Sequence, residues 1–361
     1  MAEIGILLNI AADHRREDAA VVRDHLALGD LAEPLGFESL FVLEHHFSGY
    51  IMSPAPLELL AFYAGRTTRI KLGTAVVVLP WHDPVRVAEQ ISILDIMCGG
   101  RCLFAFGRGR AESEFKAFRI PMEEARGRFV EAAEIVIGAL TNERFEYCGA
   151  FYRFPELSVR PRPFSRPQER FYAAAMGHES AAVVARLGFG LLTSTQKAWA
   201  ALADDIAQFH QLANAFGYQT RGPIVLSAVS VAKSRQEARD RAFEYIDREW
   251  EKIDHHYRYS EGRIGRTQGY EAYVGAEQYF QQLADRSFRE HATAEYMSLQ
   301  FVGTPDDCIQ QIEELIRLTG LAHLVLEFSY GGMPSKDAEN NLRVFARDVL
   351  PVFQRQGSGR A

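Results

Sequence analysis

The strongest constraint on this chain is a regular alternation of short apolar runs with longer segments of helical spacing. Ile4-Gly5-Ile6-Leu7-Leu8-Asn9-Ile10 reads as a strand, and Glu17 to Leu35 places Val21, Val22, Leu26, Leu28 and Leu31 at helical intervals. Gly36 suits the C-terminal cap of that helix, and Leu40 to Leu43 is the next strand. The pattern repeats through a helix at Pro56 to Arg66, a strand at Ile70 to Leu79, a helix at Pro84 to Met97, a strand at Cys102 to Phe106 and a helix at Glu123 to Leu140. After the proline-rich connection Pro161 to Pro167 it resumes with strands at Phe171 to Ala175, Gly190 to Leu192, Ile224 to Val231 and His323 to Phe328, each followed by a helix. Thr304-Pro305 suits the cap and first position of one of these helices. Such alternation implies parallel strands joined by right-handed crossovers. Eight strands in 361 residues predict an α/β chain folded as one (β/α)8 TIM barrel over 1–361.

Two stretches break the rhythm. Arg144 to Phe154 forms two short alternating segments about a glycine, a hairpin excursion from the barrel. From 258 to 291, Gly262, Gly265, Gly269 and Gly275 interrupt aromatic and charged residues without a period, which predicts a lid-like insertion. The tail 355–361 reads as a disordered terminus.

Composition narrows the function. A net charge of −7 gives nucleic-acid binding no electrostatic support. No apolar run approaches the length of a membrane span, and no apolar leader with a cleavage site opens the chain. The four cysteines (Cys98, Cys102, Cys148 and Cys308) form no CxxC pair, so a cytoplasmic protein with reduced thiols is expected.

In a barrel of this kind, chemistry sits at the C-terminal ends of the strands. Four segments place polar or small residues there. The run Leu40 to Leu43 ends abruptly in Glu44-His45-His46, which reads either as a strand ending in solvent or as one carboxylate and two imidazoles delivered to a pocket. Gly73-Thr74-Ala75-Val76 puts small residues inside a strand, where a planar ligand can approach the backbone. Gly107-Arg108-Gly109-Arg110 follows a strand, with Glu112 and Glu114 beyond it; a guanidinium flanked by glycines suits a phosphate, and a solvated tight turn is the plain alternative. Ala175-Met176-Gly177-His178-Glu179-Ser180 leads a strand into a helix whose free N–H groups suit an anion, with simple capping by Ser180 as the alternative. A metal would use Glu44, His45 and His46, but the sequence shows no further ligands to complete a set, so no metal is expected.

Taken together, Leu43-Glu44-His45-His46-Phe47, Gly73 to Pro80, His82-Asp83-Pro84-Val85-Arg86, Leu94-Asp95, Gly100-Arg101, Gly107-Arg108-Gly109 and Val302 to Ile309 make the chain resemble the bacterial luciferase-like, flavin-dependent monooxygenases. These segments span nearly the whole chain in family order, and the resemblance runs closest to the luciferase subunits. It implies reduced FMN as cofactor, with Arg108 and Ser180 at the phosphate, backbone at Met176 and Gly177 assisting, and Gly107 beside the ring. Ala75-Val76 matches the place where the family often has a non-prolyl cis peptide under the flavin. His45 matches the active-site base, which is expected to titrate near neutrality, Glu44 its neighbour, and Glu114 an acidic residue near the centre. The segment 258–291 matches the mobile loop that shields the flavin, with Phe47, Trp81 and Phe106 as apolar walls.

The implied chemistry is that of a two-component enzyme. Reduced FMN and O₂ form a peroxyflavin that oxygenates a small apolar organic substrate, by hydroxylation or Baeyer-Villiger-type insertion. No NAD(P)H fingerprint is visible, so a separate NAD(P)H:flavin reductase is the implied partner. A homodimer through the helices at Pro56 to Arg66 and Pro84 to Met97 is implied likewise. Gly107 stands where the luciferase catalytic subunit has cysteine, and Met176-Gly177 replaces an acidic-Ser pair. The alternatives are an F420-dependent oxidoreductase of the same barrel type and a non-catalytic flavin-binding barrel.

Overall fold

The computed structural model describes residues 2–13 and 15–355, and all eight expected barrel strands are present in it. They are β1 (Glu3–Leu8), β2 (Ser39–Val42), β3 (Lys71–Thr74), β4 (Cys102–Gly107), β5 (Phe171–Ala174), β6 (Gly190–Ser194), β7 (Ile224–Val231) and β8 (His323–Glu327). Each pairs in parallel with the next, and β8 returns to β1 with His323 opposite Glu3 and Glu327 opposite Leu7, which closes the sheet. All but the first residue of the 355–361 tail lies outside the described residues.

Alternation along the strands sorts two apolar layers. Leu7, Phe41, Leu103, Ala105, Tyr172, Ile224 and Val325 pack inside the barrel. Their neighbours Leu8, Leu40, Leu72, Phe104, Phe106 and Phe171 face outward into the main core beneath the helices. Gly73 is required by this packing, because a Cβ there would lie 2.2 Å from the Phe41 ring. At the opposite end from the site, buried Asp95 accepts from Ser165 and Arg170, and Arg101 donates to backbone carbonyls of Thr67 and Cys98. The Leu94-Asp95 and Gly100-Arg101 motifs are therefore fasteners of the barrel.

The single strand expected over Ile70 to Leu79 is interrupted. β3 stops at Thr74, Val77–Val78 resumes pairing beside Phe106 and Gly107, and a 3-10 turn follows at Leu79–Trp81. The Ala75–Val76 peptide between them is cis, as the resemblance implies. Thr74 bridges the gap: its hydroxyl donates to Ala105 O and accepts from Ala105 N, both at 2.8 Å.

The hairpin expected near 144–154 is present, with Phe145–Cys148 antiparallel to Arg153–Leu157. The 258–291 segment has more structure than its sequence suggests. Three 3-10 turns (Tyr259–Glu261, Ile264–Arg266 and Glu271–Tyr273) lead into helix Val274–Gln282, and helix Arg286–Ser298 begins before the segment ends. Turns of three residues are too short to show a hydrophobic period. A further short strand, Phe301–Gly303, pairs with the end of β7, and Thr304 then opens helix Pro305–Thr319 through a capping box with Asp307.

Candidate active site

Glu44, His45 and His46 follow directly on β2 and point three different ways. The Glu44 carboxylate is buried and accepts from Val78 N at 2.7 Å, His82 Nε2 at 2.7 Å and His46 Nε2 at 3.0 Å. It thereby ties the end of β2 to the backbone just past the β3 interruption. His46 is packed among Trp81, Phe118 and Phe47. His45 turns into the cleft, its ring 4.8 Å from that of His256 and 5.1 Å from that of Tyr50. The loop is held by His45 N donating to Ser53 O and by Ser53 Oγ donating to Leu43 O.

Glu114, from helix Glu112–Phe118 after β4, closes the floor beside them. Its Oε1 accepts from His46 N at 2.6 Å and stands 3.6 Å from His45 Nδ1 and 3.5 Å from His256 Nε2. His256 lies at the end of helix Arg235–Tyr257, which follows β7. Burial, and then the Arg110 charge, push the His45 imidazole down to about 3, which corrects the expectation of a near-neutral base. Burial, and then His45, push His256 down to about 3 as well, whereas burial lifts the Glu114 carboxyl to about 7. The acid of the group, and not the imidazole, titrates near neutral pH.

A second set of residues forms an anion-binding corner. The Arg108 guanidinium lies 4.0 Å over the Tyr270 ring, while Tyr270 Oη donates to Gly109 O at 2.8 Å. Arg108 Nη1 is buried with no hydrogen-bond partner. Arg126 is close by: a Cβ at Gly269 would lie 3.5 Å from Arg108 Nη1 and 3.7 Å from Arg126 Nη2. Arg126 also pairs with Glu179, in the first turn of helix His178–Arg186. Gly177 is the N-cap of that helix and offers no side-chain acceptor, so its first N–H groups remain free. Through Arg126 and Glu179 the structure links Arg108 to the turn that carries Gly177 and Ser180, and Met176 Sδ just before it lies 4.0 Å from the Thr193 and Ser194 hydroxyls. Gly107 lies against Val76, where a Cβ would come within 2.6 Å of Val76 Cγ2.

The 258–291 segment covers this corner. Tyr257, Tyr259, Ile264 and Tyr270 pack with Val78, Trp81, Phe115 and Met122 in one buried cluster. Trp81 is accordingly part of the wall. Phe106 is not: strand alternation turns it outward against Phe171 and Phe189, leaving Ala105 inside. Phe47 is 68% exposed and stacks only on the rim.

Several participants carry no sequence signal. His256 and Tyr257 end what reads as an ordinary surface helix, and Arg126 sits in an amphipathic one. Arg110 is enclosed by tyrosines, 4.2 Å over the Tyr257 ring. The set of metal-type ligands missing from the sequence is brought together in space, since His45, Glu114 and His256 each offer a ligand atom within 4.8 Å of the others. An open cleft of about 610 Å³ runs from Ala12 and Asp13 past Lys252 and Gly331 to Tyr50, whose ring lies 5.1 Å from that of His256.

Comparison with known proteins gives a consistent picture. The family model described as luciferase-like monooxygenase matches residues 2–323. The alkanal monooxygenase alpha chain of Photorhabdus laumondii is 24% identical over 347 residues, covering 93% of each chain. An uncharacterized Sinorhizobium fredii protein, y4vJ, is 30% identical over 181 residues, about half of either chain (50% and 52%). Among solved structures, the monooxygenase RslO1 of Streptomyces bottropensis superimposes with a TM-score of 0.81 at 26% identity, over 97% of this chain and 99% of that one. The fold is shared with the oxygenating constituent of 3,6-diketocamphane monooxygenase from Pseudomonas putida, solved with FMN (TM-score 0.72, 19% identity, 97% and 99% covered). It is shared equally with an F420-dependent secondary alcohol dehydrogenase (TM-score 0.72, 18% identity, 98% and 99% covered).

Proposed function

Because the chain belongs to the luciferase-like monooxygenase family, an oxidoreductase family, we propose that it is the oxygenase component of a two-component system using reduced FMN and O₂. The observation that carries this reading is the buried Nη1 of Arg108, a charged donor with no partner, set beside Arg126 and a helix N-terminus. A buried unpaired guanidinium nitrogen is costly unless an anion completes it. A flavin phosphate fits that chemistry, and Gly107, packed directly against the Val76 side chain, adds no side chain of its own beside the Ala75–Val76 backbone.

Arg108, Arg126 and the N–H groups of the His178–Arg186 turn would hold the phosphate, and Gly107, Ala75 and Val76 would face the ring. Once bound, the reduced flavin supplies the two electrons with which O₂ yields one oxygen atom for the substrate and one for water. The chain's own residues do the rest. Glu44 fixes the wall by holding Val78 N. Glu114 keeps a proton at the floor, and His45 passes it on, one ring nitrogen facing Glu114 and the other 3.3 Å from Tyr257 Oη. Tyr270 and its neighbours exclude water from above. A small organic substrate would enter by the cleft, which is lined by the charged Asp13, Arg248, Glu251 and Lys252 and by Tyr50, whose ring packs on His256. A separate flavin reductase, a cytoplasmic setting and a homodimer complete the proposal; Phe62, Ile93, Ile96 and Met97 are exposed on the two helices expected to meet a second copy.

The test is anaerobic titration with reduced FMN, followed by admission of O₂. Tight binding with reoxidation retarded relative to free flavin is the expected result. Rapid loss of flavin to solution, or turnover that needs reduced deazaflavin and ignores O₂, would replace the reading with the F420 alternative.

A further inference from the structure

The geometry points to a binding site for a divalent transition-metal ion of the Zn²⁺ class, formed by His45 Nδ1, His256 Nε2 and the Glu114 carboxylate. Three independent features converge on it. First, His45 Nδ1 and His256 Nε2, which both face Glu114 Oε1, are buried with no hydrogen-bond partner, as is the second carboxylate oxygen, Glu114 Oε2, and Glu114 and His256 are 1% and 2% exposed. Such orphaned atoms are rare in a folded protein, and here they occur on three side chains that meet.

Second, the spacing suits a metal better than a hydrogen bond. Both imidazole nitrogens stand 3.5 to 3.6 Å from Glu114 Oε1, outside hydrogen-bond geometry. Ligand atoms about 2.0 Å from a tetrahedral Zn²⁺ lie roughly 3.3 Å from one another, so both imidazole–carboxylate separations are already near that spacing, and the set as a whole, whose ligand atoms lie within 4.8 Å of one another, closes on the ion by up to about 1.5 Å.

Third, the outer nitrogens are already engaged. His256 Nδ1 lies 2.7 Å from Ser48 Oγ, and His45 Nε2 lies 3.3 Å from Tyr257 Oη. With protons on those outer nitrogens, both inner nitrogens present lone pairs, which is the arrangement metal-binding histidines adopt. Two histidines and one carboxylate leave further positions to solvent, reached where the His45 side chain is 14% exposed. The charged groups around the site are Glu114 and Glu44 on one side and Arg110 on the other, with the Arg110 charge facing the Tyr257 ring at 4.2 Å.

The inference does not rest on the flavin reading, since metal uptake is read on the protein alone. It does bear on it: a metal and the proton proposed above compete for the same lone pairs, so the metal-loaded chain is expected to be a poor oxygenase. The experiment is equilibrium dialysis of chelator-stripped protein against Zn²⁺, with zinc-edge X-ray absorption of the loaded protein. One Zn²⁺ per chain with two imidazoles in its first shell is expected. His256→Gln and Glu114→Gln should lose stoichiometric uptake, and Ser48→Ala should weaken it about 10- to 100-fold. His255→Gln, at the exposed neighbouring position, should leave it unchanged. Uptake by wild type no greater than by His256→Gln overturns the site. Should the ligand variants fail to fold, a wild-type first shell with fewer than two imidazoles overturns it equally.

Discussion

Arg108→Ala tests the anion corner most directly, and its magnitude can be worked from the contacts present. In the protein alone the guanidinium makes one notable contact, the 4.0 Å stack on Tyr270, worth about 0.5 to 1 kcal/mol at a partly exposed site. Its buried Nη1 satisfies nothing, so truncation removes an unfavourable burial along with that stack. The apo protein should therefore melt within a few degrees of wild type. A phosphate changes the balance, because a charge-assisted hydrogen bond to it is worth about 1.5 to 3 kcal/mol, or roughly 10- to 150-fold in affinity. The assay is anaerobic titration of wild type and variant with reduced FMN and, separately, with reduced riboflavin, which lacks the phosphate. The loss should fall on FMN and spare riboflavin. An equal loss for both ligands, or for neither, would refute the placement of the phosphate at Arg108.

Other outcomes follow from other contacts. Gly107→Ala places a methyl 2.6 Å from Val76 Cγ2, which should cost about 1 to 3 kcal/mol by overpacking and abolish flavin binding; Val76→Ala in the same chain should restore stability in chemical denaturation. Burial, and then the Glu249 charge, push the Glu327 carboxyl up to about 8 from an ordinary 4.5, so between those values the folded chain keeps a proton that the unfolded chain has lost. Stability should fall as pH rises through that window, by at most about 1.4 kcal/mol per pH unit, and Glu327→Gln should flatten the profile in denaturant titrations at several pH values. Ile93 is 44% exposed on a helix with Ile96 and Met97 also exposed, so Ile93→Glu should convert a dimer to a monomer in sedimentation; a wild-type monomer would remove the interface.

The barrel was legible because its signal is periodic. Eight apolar runs separated by amphipathic segments survive errors of a few residues at every boundary, as β5 and helix Pro56–Ala64 illustrate. The site was legible where a motif lies on one strand end. Glu44-His45-His46 and Gly107-Arg108 needed only the knowledge that polar groups after a barrel strand face the cleft. What the sequence hid is assembled by crossovers. His256 arrives after β7 and Arg126 on the helix before the hairpin, and neither carries a local mark of its destination. The pKa order was equally hidden: a histidine near neutrality is the ordinary assumption, and it fails because burial, joined by the Arg110 charge, weighs more heavily on the imidazole than the Glu44 charge can offset. Phe106 was misplaced for a simpler reason, since one residue of register decides whether a strand side chain looks inward or outward.

Glu44 joins more than the floor of the cleft. Through His82 its carboxylate holds the residue just before Asp83, whose side chain caps helix Pro84–Met97 by accepting from Val85 N and Arg86 N. The same helix carries exposed Ile93, Ile96 and Met97. One buried carboxylate therefore serves both the wall of the cleft at Val78 and the start of helix Pro84–Met97, so removing it should loosen the two together.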